Sequence, residues 1–200
     1  MGRIAVDVVL LPDRAMTEWA MKTNRELVRQ YGSEIVLGEK TCLPHISLAM
    51  GCAEERDIDS IRERLQGLAK ETPVKWLHAT GILVSTNLRG EQTSLLEIER
   101  TDSLQALHEA AMREVEPFFS YDVTDTMIAD DAVAESTLEW IRDYRQKAAF
   151  ERFSPHVTLG HGKAKTDDLF PMPFTASQVA LCHLGNHGTC RKVLATVGLQ

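Results

Sequence analysis

Long apolar runs are missing from this 200-residue sequence. The longest near the N-terminus, Val8 to Leu11, follows Asp7 directly, whereas a membrane helix needs about 20 apolar residues. No segment is therefore expected to span a bilayer. Met1-Gly2-Arg3 runs straight into a strand-like stretch without an apolar signal core or small-residue cleavage site, which predicts no export signal and a cytoplasmic protein. Cysteine is scarce too. Cys42, Cys52, Cys182 and Cys190 are too few for a disulfide framework and read as reduced thiols. Cys182 and Cys190 lie equidistant from Asn186 and could face each other across a hairpin turn, where the expectation is a cross-strand pair of thiols. Positive charge is in short supply: 22 bases against 29 acids give a net charge of −7, which opposes long-range attraction to duplex nucleic acid. Glycine-rich phosphate loops of the Gly-x-x-x-x-Gly-Lys or Gly-x-Gly-x-x-Gly kind are absent, so use of a nucleoside triphosphate has no support.

What is present is an ordinary globular balance, 44% apolar and 26% charged, which fits one domain over residues 1–200. The charge is uneven. Glu97 to Glu139 holds twelve acids and two bases, while Arg142 to Lys165 holds six bases and two acids. A local anion site is open on the basic stretch, beside the plainer reading of a solvated helix face and loop.

The patterning alternates strands and helices. Ile4 to Leu11 is β-branched and ends at Pro12, and a helix with Met16, Trp19, Ala20, Thr23 and Leu27 on one face runs to Gly32. A strand at Leu43 to Met50 precedes an amphipathic helix carrying Ile58, Ile61, Leu65 and Leu68 that stops before Pro73. Strands at Val74 to Ser85 and Ser94 to Ile98 flank a turn at Asn87 to Glu91. Asp102 with Gln105 resembles a capping box opening a helix with Leu104, Leu107, Ala111 and Val115 that ends at Pro117. Asp130 and Asp131 could cap a helix presenting Val133, Thr137, Trp140, Ile141 and Tyr144. A strand at Ser154 to Gly160, a loop with Pro171 and Pro173 and a hairpin from Gln178 to Leu199 complete the chain. The mixture predicts an α+β fold with helices covering the sheet.

Within this pattern one motif recurs. Pro44-His45-Ile46-Ser47-Leu48 and Pro155-His156-Val157-Thr158-Leu159 share the form Pro-His-[Ile/Val]-[Ser/Thr]-Leu, each after a predicted helix. In a strand, alternate side chains share a face, so each histidine stands beside the hydroxyl two residues on while the branched residue packs beneath. Two such pairs converging on one cleft suit phosphodiester chemistry. Histidines of pKa about 6.5 serve as base and acid in opposite protonation states, and the hydroxyls offer donors to the non-bridging phosphate oxygens. This chemistry needs no metal.

These motifs and their setting resemble the 2H phosphoesterase superfamily, defined by two His-x-Thr/Ser motifs, which includes LigT-like 2'-5' RNA ligases and cyclic phosphodiesterases. The order of Ala5-Val6-Asp7-Val8-Val9, helix, His45-Ile46-Ser47, helix, two strands, helices, Phe153 to Gly160 and a closing hairpin is similar to the family's pattern across most of the chain. The resemblance implies a bilobal fold of two pseudo-symmetric antiparallel-sheet lobes with outer helices and a central cleft. It also implies hydrolysis or reversible ligation at 2',3'-cyclic or 2'-5' phosphodiesters, without a metal or other cofactor, with His45 and His156 catalytic and Ser47 and Thr158 binding substrate. Ser47 replaces the commoner threonine and keeps the donor.

The expected partner is a small nucleotide or an RNA end, with no membrane and no obligate protein partner. A nucleotide-binding protein without turnover is the alternative from another class. Arg152 and Ser154 share the strand parity of His156 and would reach the cleft mouth if the strand began that early, with Lys163 near its far end. His161 has the opposite parity and is expected to point away. Cys182-His183 with His187 and Cys190 has superficial metal-ligand spacing, but a glycine-containing turn between two strands explains it, so no metal is expected. His108 reads as a boundary residue on its helix, and His78 as a partly buried strand residue that could face the cleft.

Overall fold

In a computed structural model describing residues 2–32, 34–71, 76–87, 90–166 and 168–199, eight strands and four α-helices run along the chain. The strands are β1 (Arg3–Pro12), β2 (Ile46–Glu54), β3 (Leu77–Thr86), β4 (Gln92–Ile98), β5 (His156–His161), β6 (Met172–Phe174), β7 (Ala176–Leu184) and β8 (Cys190–Gly198). The helices are α1 (Arg14–Tyr31), α2 (Ile58–Glu71), α3 (Asp102–Val115) and α4 (Glu135–Lys147). Among the described residues no helix is long and apolar enough to cross a membrane. Residues 72–75, where the expected strand from Val74 starts, and residues 88–89 of the Asn87 to Glu91 turn lie outside the described residues.

Two four-stranded antiparallel sheets form, in the orders β2-β1-β7-β8 and β5-β4-β3-β6. Each motif strand, β2 or β5, is the edge strand of its sheet. The α+β, two-lobed expectation holds, but the lobes are not sequence halves: the first sheet takes strands from both ends of the chain, and the second is built from its middle. Helix α1 leaves the first sheet and packs on β5 of the second, while α2 lies on β7 and β8, and α3 on α2 and β2. One continuous cluster of buried apolar side chains spans both sheets, from Val6 and Leu48 to Leu96, Val157 and Leu159, while Val9, Ala180, Cys182 and Cys190 form a smaller cluster on the first sheet.

Local chemistry sets the boundaries. Strand β1 ends at Pro12 as expected, and Asp13 caps α1, its carboxylate accepting from the Met16 amide at 2.9 Å, while Gly32 ends the helix at φ 106°. Helix α3 is capped by Thr101 through the Leu104 amide, so the expected Asp102 box shifts by one residue. Helix α4 has no side-chain cap of its own. Asp130 instead accepts from the Asn186 amide at 2.6 Å and pairs with Arg191, and the Asn186 side chain accepts from the Ala134 amide and the Thr137 hydroxyl. The proline loop also holds a short strand, β6, in which Pro173 lies opposite His78 at the sheet edge, where a missing N–H does no harm.

The cysteine expectation is corrected on one pair. Cys182 and Cys190 form a disulfide with Cα atoms 5.6 Å apart, because two register shifts in the β7–β8 hairpin bring them within bridging range. Cys42 and Cys52 are buried free thiols. The Cys190 carbonyl accepts from the Leu43 amide at 3.1 Å, so the clipped hairpin supports the segment leading into the first motif.

Candidate active site

The motif strands present their faces as alternation requires. Ile46 and Leu48, like Val157 and Leu159, are fully buried, while His45, Ser47, His156 and Thr158 are half-buried and line one cavity of about 890 Å³, the size of an ordinary small-molecule site. The two histidines are held alike. His45 Nδ1 lies 2.8 Å from the Leu43 carbonyl and His156 Nδ1 lies 2.8 Å from the Ser154 carbonyl, each two residues back. A carbonyl only accepts, so both Nδ1 atoms carry protons in the neutral rings and both Nε2 atoms are left with lone pairs. Burial holds both imidazoles below their ordinary pKa, and the charge of His156 lowers His45 further.

Beneath His45 lies a carboxyl that the sequence reading passed over. Asp7, in the middle of the buried strand β1, is fully buried, with Oδ2 2.6 Å from Ser47 Oγ and 3.9 Å from His45 Nε2. The second distance is too long for a hydrogen bond. Its Oδ1 has no hydrogen-bond partner among the described residues. Burial pushes the Asp7 carboxyl well above its ordinary pKa, against the Ser47 hydroxyl and the Ala49 amide. Burial therefore favours the neutral form of this carboxyl. The signal in sequence was a lone acid within an apolar strand, a placement that burial makes costly without a purpose.

His108 is the second correction. It is fully buried, not at a boundary, with Nδ1 2.7 Å from the Leu48 carbonyl and Nε2 accepting from the Phe150 amide at 2.7 Å, and it stacks on Phe153 at 4.0 Å. Helix α3 thus ties the strand of the first motif to the segment that leads into the second. Desolvation lowers its pKa to about 4.

The third correction concerns His161, which lines the cavity. Between Thr158, opposite Leu95, and Gly160, opposite Ser94, β5 carries one extra residue. This bulge resets the alternation and returns His161 to the face of His156 and Thr158. Gly160 makes it possible: its φ is 138°, and a Cβ there would meet the Asn24 amide nitrogen at 2.9 Å. The Asn24 side chain donates to the Leu159 carbonyl at 2.8 Å, a group the bulge takes out of the ladder. The glycine inside the strand was the legible signal.

Arg152 and Ser154 line the cavity as expected, although β5 begins only at His156 and a 3₁₀ turn at Phe150–Arg152 carries the arginine. Arg152 pairs with no carboxylate among the described residues, whereas Arg142, Arg145 and Lys147 of the basic stretch pair with Glu135, Glu116 and Asp143. Lys163 is outside the cavity, and so is His78, which pairs with Glu99 at 3.1 Å. Trp140 and Tyr144 of α4 add an aromatic wall, and Glu34 and His187 also reach the cavity.

Comparison with known proteins agrees with this architecture. TT0787 of Thermus thermophilus has the same fold at a TM-score of 0.60, with 15% identity over 98% of both chains. E. coli LigT matches at a TM-score of 0.50 both in its apo form, at 11% identity, and in its complex with NADP+, at 13%, in each case over 100% of this chain and 99% of LigT. No curated protein matches the chain in sequence. Residues 40–187, which run from the segment before the first motif to beyond the second, match the model of the 2'-5' RNA ligase superfamily. With both His-x-Ser/Thr strands opening on one cavity between two antiparallel sheets, the chain belongs to the 2'-5' RNA ligase superfamily.

Proposed function

We propose that the protein is a phosphodiesterase that hydrolyses 2',3'-cyclic or 2'-5' phosphodiesters of nucleotides or RNA ends, with His45 and His156 as acid–base pair. One neutral imidazole takes a proton from water as its oxygen bonds to phosphorus. The other, protonated, gives its proton to the ribose oxygen as the phosphorus–oxygen bond breaks, leaving a phosphomonoester. The observation that carries this reading is the matched anchoring of the two Nδ1 atoms on backbone carbonyls, which leaves two Nε2 lone pairs for one cavity.

Thr158 and Ser47 bind the phosphate in this reading, and Asp7 decides whether Ser47 can. A hydroxyl has one proton. If Asp7 were ionised, Ser47 would give that proton to the carboxylate and turn only lone pairs to the phosphate. In this reading burial keeps Asp7 as the neutral acid, so that across the 2.6 Å contact it donates to Ser47 Oγ and frees the serine proton for a phosphate oxygen. Arg152 adds positive charge at the cavity.

Ligation, in which a 5'-hydroxyl replaces water as the nucleophile on the cyclic phosphate and the ribose 3'-oxygen leaves to give a 2'-5' diester, is the neighbouring reading. Pairing of half the basic stretch with carboxylates leaves little cation density to follow a long RNA, which favours a small cyclic phosphate. The test is incubation of the purified protein, with EDTA present, with 2',3'-cyclic nucleotides and a 2'-5' linked dinucleotide, followed by chromatography of the products. Monoester formation supports the proposal. Stabilisation by these compounds without any product would replace it with a binding protein.

A further inference from the structure

A second cluster in the cavity takes no part in the acid–base reading. Glu34, on the segment after α1, His161, at the end of β5, and His187, in the β7–β8 turn, each offer one donor atom, all within 4.8 Å of one another. Glu34 Oε2 is 3.2 Å from His161 Nε2 and 3.7 Å from His187 Nε2. With zinc–nitrogen and zinc–oxygen bonds of about 2.0–2.1 Å, neighbouring donors in a tetrahedral site stand about 3.3 Å apart. Small side-chain rotations would let the three share one ion.

The rings are oriented for that use. His161 Nε2 is buried and makes no hydrogen bond among the described residues, despite the carboxylate 3.2 Å away. Its other nitrogen lies 3.4 Å from Thr93 Oγ1, an outer contact that steadies the ring. The Asn186 amide donates to His187 Nε2 at 3.2 Å, which leaves a lone pair rather than a proton on that nitrogen, and a bound ion would take that lone pair over. The two rings meet edge to face at 5.1 Å. Glu34 is 70% exposed, so its carboxylate is free to close on an ion.

We propose that Glu34, His161 and His187 form a binding site for one first-row transition-metal ion, Zn²⁺ being the occupant that the donor set favours. Imidazole nitrogens suit zinc, copper and nickel, whereas Mg²⁺ demands oxygen ligands. Two imidazoles and a carboxylate leave a fourth position, and since all three residues line the cavity, that position opens on it. It shares the cavity with the His45–His156 pair but uses neither of those rings.

Titration of chelator-stripped, disulfide-intact protein with Zn²⁺ against a chromophoric competitor tests this. The wild-type chain is expected to bind one equivalent that excess Mg²⁺ does not displace. His161→Gln/His187→Gln should weaken binding by more than the roughly 10–100-fold that loss of an outer-shell partner costs, and Glu34→Gln, at an exposed position, should weaken it without touching the core. His45→Gln/His156→Gln should bind as wild type. Absence of stoichiometric binding, binding that survives His161→Gln/His187→Gln, or binding lost with His45→Gln/His156→Gln would each overturn the proposal.

Discussion

At the scale of single residues, the site turns on where protons sit. If Asp7 is a neutral donor to Ser47, an amide can replace it: Asp7→Asn should keep turnover within about tenfold, while Ser47→Ala should lower kcat about 100-fold, the cost of one transition-state donor. A loss in Asp7→Asn as large as in Ser47→Ala would show that the carboxylate charge is needed. The two motif imidazoles make a second prediction. Both are held below about 6.5, and the productive state has one proton on the pair. In the free enzyme that state therefore declines at a pH below 6.5, so kcat/KM should already be falling by pH 6.5 and keep falling above it. A bound anionic phosphate favours the protonated acid, so kcat should hold to higher pH. Profiles of kcat/KM that stay flat from pH 6 to 9 would contradict this. His45, Ser47, His156 and Thr158 were legible because strand alternation is local. Asp7 was not, because its meaning depends on pairing β1 with β2, which places it against Ser47.

At the scale of elements, the bulge in β5 and the buried strut from α3 decide which side chains meet. The parity rule placed His161 on the wrong face because one residue at the Gly160 bulge breaks the period of two. His108 shows the complementary limit: helical spacing put it near the core, but only the packed structure supplies the Leu48 carbonyl and the Phe150 amide that use both its nitrogens. Protonation would turn Nε2–H against an N–H. With a folded pKa of about 4 against about 6.5 unfolded, its stabilisation is complete above pH 6.5 and is lost as pH falls toward 4. At about 1.4 kcal/mol per unit the loss comes to about 3 kcal/mol. Urea unfolding at pH 7.5 and 4.5 should show this fall, and His108→Gln should be less stable at pH 7.5 and show a smaller fall. An unchanged pH dependence in that variant would count against the strut.

At the scale of the whole molecule, the sheets are woven rather than sequential. The sequence patterning located most strands and all four helices, but strand order depends on contacts between distant segments, and nothing local indicates that β7 and β8 return to β1 or that α1 crosses to β5. The Cys182–Cys190 disulfide was missed for the same reason: equal spacing from Asn186 suggested that the two face each other, while the bulged register that brings them together is not a local property. We propose that residues 1–200 fold as one unit, since one apolar cluster spans both sheets. Circular dichroism and tryptophan fluorescence should then report one coincident urea transition; separate transitions would divide the lobes. Two imidazoles, His45 directly before β2 and His156 opening β5, would do one reaction. The most direct test is turnover of a 2',3'-cyclic nucleotide, with EDTA present, by His45→Gln, His156→Gln and the double variant. The account predicts that each single variant loses nearly all activity, that the double loses little more, and that all three remain folded. Substantial turnover in either single variant would contradict it.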